Sequence, residues 1–162
     1  MDFSFEFVEE SRIDRTVPEL FPILSGNMNA IAPTGGNYEQ DLAVWRAYIV
    51  PAVREGRCRI VRMLSGGELA GYFQYHITED SFMMEEIQIK PVYQGTGLFR
   101  ELYRWLKGQL PAGLAYVEAY ANKKNLKSQG ILESLGLERT GENQSGSSYH
   151  YEGSYGKFWE RF

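Results

Sequence analysis

Two short stretches of this chain suit ligand binding or proton transfer. The first is Gln94-Gly95-Thr96-Gly97. It lies between a strand-like run, Glu85-Glu86-Ile87-Gln88-Ile89, and a run in which Leu98, Leu102, Tyr103 and Leu106 recur at helical spacing. Pro91 ends the strand's ladder because it has no N–H to donate. A helix begins with backbone N–H groups that lack partners inside it, and its dipole adds partial positive charge there. Glycines lack the Cβ that would hold a phosphate off the main chain, so strand, Gly-x-Gly and helix in this order suit a phosphorylated ligand. The same letters also serve ordinary turns. Two sharper phosphate motifs are excluded. No Gly-Lys-Ser/Thr follows the glycines, and Phe99 or Arg100 stands where a dinucleotide fingerprint needs its third glycine. The second stretch is Glu85-Glu86. Strand alternation puts the two carboxylates on opposite faces, so one at most can serve a given groove as general base; the alternative is a surface pair.

The run Ile87-Gln88-Ile89-Lys90-Pro91-Val92-Tyr93-Gln94-Gly95-Thr96-Gly97-Leu98-Phe99 resembles the signature of the GNAT acetyltransferase superfamily. That signature reads Arg/Gln-x-x-Gly-x-Gly/Ala after a strand ending in an apolar-x-Pro step. Gln94 and Gly97 match its first and fourth positions. Phe99 departs at the sixth, where bulk would shift the helix start or narrow the diphosphate seat. Downstream, Asn125, Ser128 and Gly136-Leu137 resemble the family's next segment, Asn-x-x-Ala/Ser and then Gly-Phe, at the expected spacing.

The resemblance implies a mixed α/β (α+β) fold with a mostly antiparallel sheet of six to seven strands and about four helices, in a single domain over residues 1–162. It implies acetyl-CoA as co-substrate and no metal. The cofactor-binding positions would be Ile87, Ile89, Gln94, Gly95, Thr96, Gly97, Leu98, Phe99, Asn125 and Ser128. The chemistry would be direct attack of a primary amine, on a small molecule or a peptide, at the thioester. Glu85 or Glu86 would be the base, and the backbone N–H near Ile89 the oxyanion donor. Many members place a tyrosine general acid where this chain has Leu132. Either Tyr120, Tyr149 or His150 fills that role, or the thiolate leaves unaided. Two other readings stay open: a non-catalytic acyl-CoA-binding or sensing domain, and a structural interaction module.

Whole-chain properties fit an enzyme-sized domain. At 162 residues, with 43% hydrophobic and 23% charged, the chain can bury one substantial core. A net charge of −4 argues against a general nucleic-acid binder, which needs excess Lys and Arg to displace counterions. No apolar run approaches a membrane span, and the start, MDFSFEFVEE, has no signal-peptide pattern. Cys58 is the only cysteine and is expected to be a packed thiol. A cytoplasmic location is expected.

The positioning elements follow in order. Phe3, Phe5 and Phe7 alternate with polar residues as a strand with one buried face. Thr16 and Glu19 have capping-box spacing around Pro18, and Pro22 with Ser25-Gly26-Asn27 should leave that helix short or bent. Residues 25–37 form a candidate lid or, equally, an ordinary surface loop. Asn37 with Gln40 should cap a helix through Leu42, Trp45, Tyr48 and Ile49 that Pro51 kinks or ends. Arg57 to Met63 and Glu68 to Ile77 read as a hairpin about Ser65-Gly66-Gly67. His76, with no carboxylate pattern beside it, reads as structural. Leu114 to Ala121 is a strand with a small face (Ala115, Val117, Ala119, Ala121) and a polar-aromatic one (Tyr116, Glu118, Tyr120). In the GNAT pattern it splays from the Glu85 to Ile89 strand to admit the pantetheine arm. A helix from Leu126 to Leu135 has Leu126, Ile131, Leu132 and Leu135 as its apolar set. Lys123, Lys124 and Lys127 are either solvated surface or partners for CoA phosphates. The aromatic C-terminus reads as core plus edge strand, with an acceptor pocket or a homodimer contact as further uses.

Overall fold

The computed structural model describes residues 2–162. The alternating phenylalanines form β1 (Phe3–Phe7). Then come α1 (Ile13–Ile31), α2 (Tyr38–Arg54), β2 (Arg59–Ser65), β3 (Glu68–Ile77) and β4 (Ser81–Ile89). A 3-10 turn, Pro91–Tyr93, precedes α3 (Leu98–Leu106), and the chain ends with β5 (Tyr116–Asn122), α4 (Leu126–Ser134), β6 (Glu138–Glu142), β7 (Ser148–Ser154) and α5 (Tyr155–Trp159). The fold is mixed α/β, with seven strands in the order β1-β2-β3-β4-β5-β7-β6. β1–β2, β5–β7 and β6–β7 are antiparallel, whereas β4–β5 is parallel. The chain divides into two compact units, Met1–Gln74 with Glu86–Leu98, and Tyr75–Glu85 with Phe99–Phe162.

In the first unit the helices depart from expectation. α1 begins at Ile13 and runs through Pro18, Pro22 and Ser25-Gly26-Asn27 to Ile31. Thr16 does not cap it; its Oγ1 donates to the Arg12 carbonyl. The reason is the unbroken stripe Ile13, Val17, Leu20, Phe21 and Leu24, all buried in one core with Ile49, Val50, Ala52, Val53 and Ile60. Each such side chain contributes about 1.5–3 kcal/mol. Together they outweigh two interior prolines at about 3 kcal/mol each. The proposed lid therefore shrinks to the non-helical residues Ala32–Asn37. α2 likewise passes Pro51 to reach Arg54, because Ala52 and Val53 in its last turn are buried.

The cap of α2 is as expected. Asn37 Oδ1 accepts from the Gln40 N–H at 2.8 Å, and Gln40 Oε1 accepts from the Asn37 N–H at 3.2 Å. Asn37→Ala should therefore lower stability by about 1 kcal/mol. A urea midpoint that does not move would show that the box contributes nothing.

β2 and β3 meet at Gly66 (φ 56°) and Gly67 (φ 85°), as a tight hairpin requires. Cys58 is buried, as expected. β4 starts four residues earlier than Glu85, because Ser81 and Phe82 are buried and Thr78 and Ser81 close the preceding turn.

In the second unit, Val117, Ala119 and Ala121 are buried, while Tyr116 and Tyr120 are exposed and Glu118 half-buried. The aromatic ending is core, but its strand, β7, lies inside the sheet between β5 and β6, and the edge strand is the non-aromatic β6. Phe158 and Trp159 pack edge to face at 4.9 Å, and Tyr103 meets Phe158 at 5.3 Å. Asn125 caps α4. Gly136 (φ 86°) ends that helix, with its N–H on the Glu133 carbonyl and the Leu137 N–H on the Leu132 carbonyl. Leu126 does not belong to the apolar set of α4, being 75% exposed; Gln129 is buried instead. Its amide donates to the Asn122 and Lys123 carbonyls, which satisfies the buried group.

Candidate active site

The first unit holds the glycine turn. Gln94 Nε2 donates to the Ile89 carbonyl at 3.2 Å, tying the turn back to the end of β4. Asn27 of α1 donates to the same carbonyl at 3.0 Å and to Gln88 Oε1 at 3.0 Å. Gln88 Nε2 in turn donates to Glu86 Oε2 at 2.6 Å. Asn27 is a functional candidate that sequence reading missed, since nothing in its loop-like neighbourhood linked it to a strand sixty residues away. Thr96 Oγ1 donates to the Tyr93 carbonyl, closing the turn from inside. Gly95 (φ 74°) and Gly97 (φ 86°) hold the left-handed conformation. A Cβ built on either meets nothing within 4 Å, so the main chain of the turn is uncovered there. That is the surface an anionic diphosphate needs. Ile89 and Leu98 are buried on either side, and Ile87 is half-buried.

Glu86 lies in this unit too. Its charge adds to burial in pushing the Tyr72 hydroxyl well above the ordinary phenol range. Tyr72 is fully buried beside Trp45, and among the described residues its hydroxyl has no hydrogen-bond partner.

The second unit holds Glu85, Tyr120, Tyr149, Phe99, Asn125 and Ser128. Phe99 is half-buried at the second position of α3. Asn125 Oδ1 accepts from the Ser128 N–H at 3.0 Å, so these two motif residues form the N-cap of α4. Glu85 Oε1 lies 2.9 Å from His76 Nδ1, which corrects the expectation that His76 has no carboxylate near it. The pair spans the β3–β4 hairpin and became visible only once its register was known.

Strand register places several further groups on the face of Glu85. Met83 is opposite Glu118, so alternation puts Glu85 on the Glu118 face. Glu118 is opposite Glu152, and Tyr120 opposite His150. His150 Nε2 meets Glu118 Oε1 at 2.9 Å, and its Nδ1 meets Thr140 Oγ1 at 2.5 Å. The ligand-type atoms of Glu118, His150 and Glu152 lie within 4.8 Å of one another, a juxtaposition the sequence did not suggest. Tyr120 is 48% exposed, its ring centroid 5.0 Å from that of His150.

Tyr149 is opposite Ala121 and so lies on the other face, its ring 3.7 Å beneath the Arg139 guanidinium. Tyr120 and Tyr149 therefore leave opposite faces of the sheet. Leu132 is buried. Of the lysines, Lys123 pairs with Glu142 at 2.7 Å and lies over the Tyr149 ring, while Lys124 and Lys127 are exposed.

No protein-family model matches the sequence, and no curated protein matches it. Solved structures do match the fold. The PaiA N-acetyltransferase of Thermoplasma acidophilum, in complex with coenzyme A, is similar at a TM-score of 0.70 and 13% identity, over 96% of this chain and 100% of that one. An aminoglycoside acetyltransferase in complex with coenzyme A is similar at 0.71 and 17%, over 99% and 98%. The spermidine N-acetyltransferase of Vibrio cholerae, as a point mutant, is similar at 0.66 and 15%, over 98% and 97%. At such identities the likeness shows the fold, and that fold is the GNAT acetyltransferase fold.

Proposed function

We propose that this chain is an acetyl-CoA-dependent N-acetyltransferase acting on a primary amine by direct attack. The observation that carries the reading is the Gln94–Gly97 turn, clamped to Ile89 by the Gln94 side chain and open along its main chain at two left-handed glycines. In this reading the N–H groups of Gly95, Thr96, Gly97, Leu98 and Phe99 receive the diphosphate. Ile87 and Ile89 offer backbone groups to the pantetheine arm and the thioester oxygen, and Asn125 and Ser128 fix the start of α4. A preorganised oxyanion donor contributes about 3 kcal/mol to acyl transfer.

Glu85, oriented by His76, is the base. It removes a proton from the acceptor ammonium, the neutral nitrogen attacks the thioester carbon, the carbon–sulfur bond breaks as thiolate leaves, and the second proton on the new amide nitrogen is lost to solvent. Tyr120 is the acid for that thiolate, because it shares the Glu85 face by register and Tyr149 does not. A base matters because deprotonating a lysine-like amine at neutral pH costs about 4–5 kcal/mol, against about 1 for an α-amino group.

The acceptor is a small cationic molecule. Glu85, Glu118 and Glu152 make the half-buried face acidic, and two of the similar folds belong to proteins named for spermidine and aminoglycosides. A cytoplasmic enzyme completes the reading, and no helix of the described residues is long and apolar enough to cross a membrane.

Thermal unfolding with acetyl-CoA, free CoA and ATP tests it. At about a hundred times its dissociation constant, a ligand of the native state stabilises by about 2.7 kcal/mol. Stabilisation by the CoA species and not by ATP is expected; none at saturating acetyl-CoA would sink the assignment. The buried Leu132 favours a second reading, CoA binding without turnover. That reading predicts the same shift but no amine-dependent thiol release.

A further inference from the structure

The first unit contains a cavity of about 290 Å³ between α1 and α2. Its walls are Phe21, Leu24, Met28, Val44, Trp45 and Tyr48. Phe21 and Leu24 are fixed parts of the core, and Phe21 packs on Trp45 at 5.7 Å. Met28, Val44 and Tyr48 are 37%, 72% and 50% exposed. Three large apolar side chains thus stand in water around one mouth, over a floor of buried core residues. A ligand with an apolar body would remove them from water without any rearrangement of the core.

One charge sits at this cavity. Asp41 is half-buried in the first turn of α2, and among the described residues no Lys, Arg or His pairs with it. Thr34 Oγ1 donates to its Oδ2 at 2.7 Å, which orients the carboxylate and leaves acceptor capacity on Oδ1. A carboxylate held beside Trp45, Tyr48 and Phe21 is complementary to an ammonium: it supplies the counter-charge, and the ring faces attract the cation as well. Its helix position accounts for an acidic residue here, but not for the apolar cavity beside it.

We propose that this cavity binds a small ammonium compound with an apolar, preferably aromatic, body. The body fills the space between Phe21, Leu24, Met28 and Trp45, and the ammonium meets Asp41. The proposal does not rest on the acyl-transfer reading and is tested by binding alone.

The test is isothermal titration of the unaltered chain, without CoA, against phenethylamine, its neutral counterpart 2-phenylethanol, and ethylamine. Phenethylamine should bind at least about tenfold tighter than ethylamine, since burying the ring is worth more than that factor. It should also bind about tenfold tighter than 2-phenylethanol, the worth of one charge-assisted contact. Asp41→Asn keeps an acceptor for Thr34 and should erase the preference for phenethylamine over 2-phenylethanol. Ser25→Phe, which fills the cavity from α1, should abolish binding of both while acetyl-CoA binding persists. Equal affinity for phenethylamine and ethylamine, or a phenethylamine preference that survives Asp41→Asn, would overturn the proposal. The ligand series on the unaltered chain decides the matter even where Ser25→Phe fails to fold. Absence of acetyl-CoA binding would count against acyl transfer and leave this site untouched.

Discussion

Gly71→Ala should destabilise the protein by about 3 kcal/mol and abolish acetyl-CoA binding, although it adds a single methyl to a strand residue. Gly71 is buried in β3. A Cβ there would press on the Gln88 carbonyl oxygen and stand 3.0 Å from both Ile89 Cα and Met63 Cε. Two of those atoms are backbone and cannot turn aside, so β3 and β4 must part; overpacking of this kind costs about 1–3 kcal/mol and sometimes more. The Lys90 N–H to Ala70 carbonyl bond, 2.9 Å long, lies beside the clash and would be strained with it. Ile89 would move, taking the carbonyl that Gln94 and Asn27 both hold. Gly26 is the natural control. It lies within α1, and a Cβ there meets nothing within 4 Å, so Gly26→Ala should stabilise by about 0.5–1 kcal/mol. Denaturant midpoints for the pair should move in opposite directions. A Gly71→Ala protein with an unchanged midpoint and full affinity would show that the strands give way freely.

The contrast between these glycines illustrates which parts of the fold were legible in the sequence. Local signals read well where one residue's conformation decides the outcome. The Asn37–Gln40 box, the Gly66-Gly67 hairpin, the Gly95 and Gly97 turn and the period of α3 all lie where expected. Pro22 and Pro51 misled because a local penalty was weighed without the apolar stripe it interrupts. Ile13 to Leu24 and Ile49 to Val53 bury enough surface to carry their helices through. Gly71 could not be distinguished from Gly26 by any local rule, since what matters is a carbonyl seventeen residues further along the chain.

The candidate site divides in the same way. The motif residues were legible because they are contiguous, and their roles within the fold are local: Gln94 clamps the strand end, and Asn125 caps a helix. The partners of the titratable residues were not legible. His76 with Glu85, His150 with Glu118 and Thr140, and Asn27 with Ile89 are all set by register or tertiary contact. Register also separates two tyrosines that composition left equivalent, Tyr120 on the face of His150 and Tyr149 on the face of Ala121.

Glu85→Gln should lower kcat for a lysine-like amine by a factor of about 100 to 10,000, the usual worth of a positioned general base. That corresponds to about 3–5 kcal/mol of barrier, close to the cost of deprotonating such an amine at neutral pH. The amide keeps the size of the side chain and can still bond His76, so acetyl-CoA binding and the unfolding midpoint should hold. The pH dependence separates a base from a merely structural carboxylate. Below about pH 10 the acceptor is mostly ammonium, and the variant has nothing to take its proton. As pH rises through that range the free amine supplies itself, and the deficit relative to the unaltered chain should shrink. An α-amino acceptor, neutral near pH 8, should show a much smaller deficit at every pH. His76→Ala should fall between, because it loosens Glu85 without removing it. A deficit independent of both pH and acceptor basicity would assign Glu85 to substrate positioning instead, and full activity in Glu85→Gln would exclude it from the chemistry altogether.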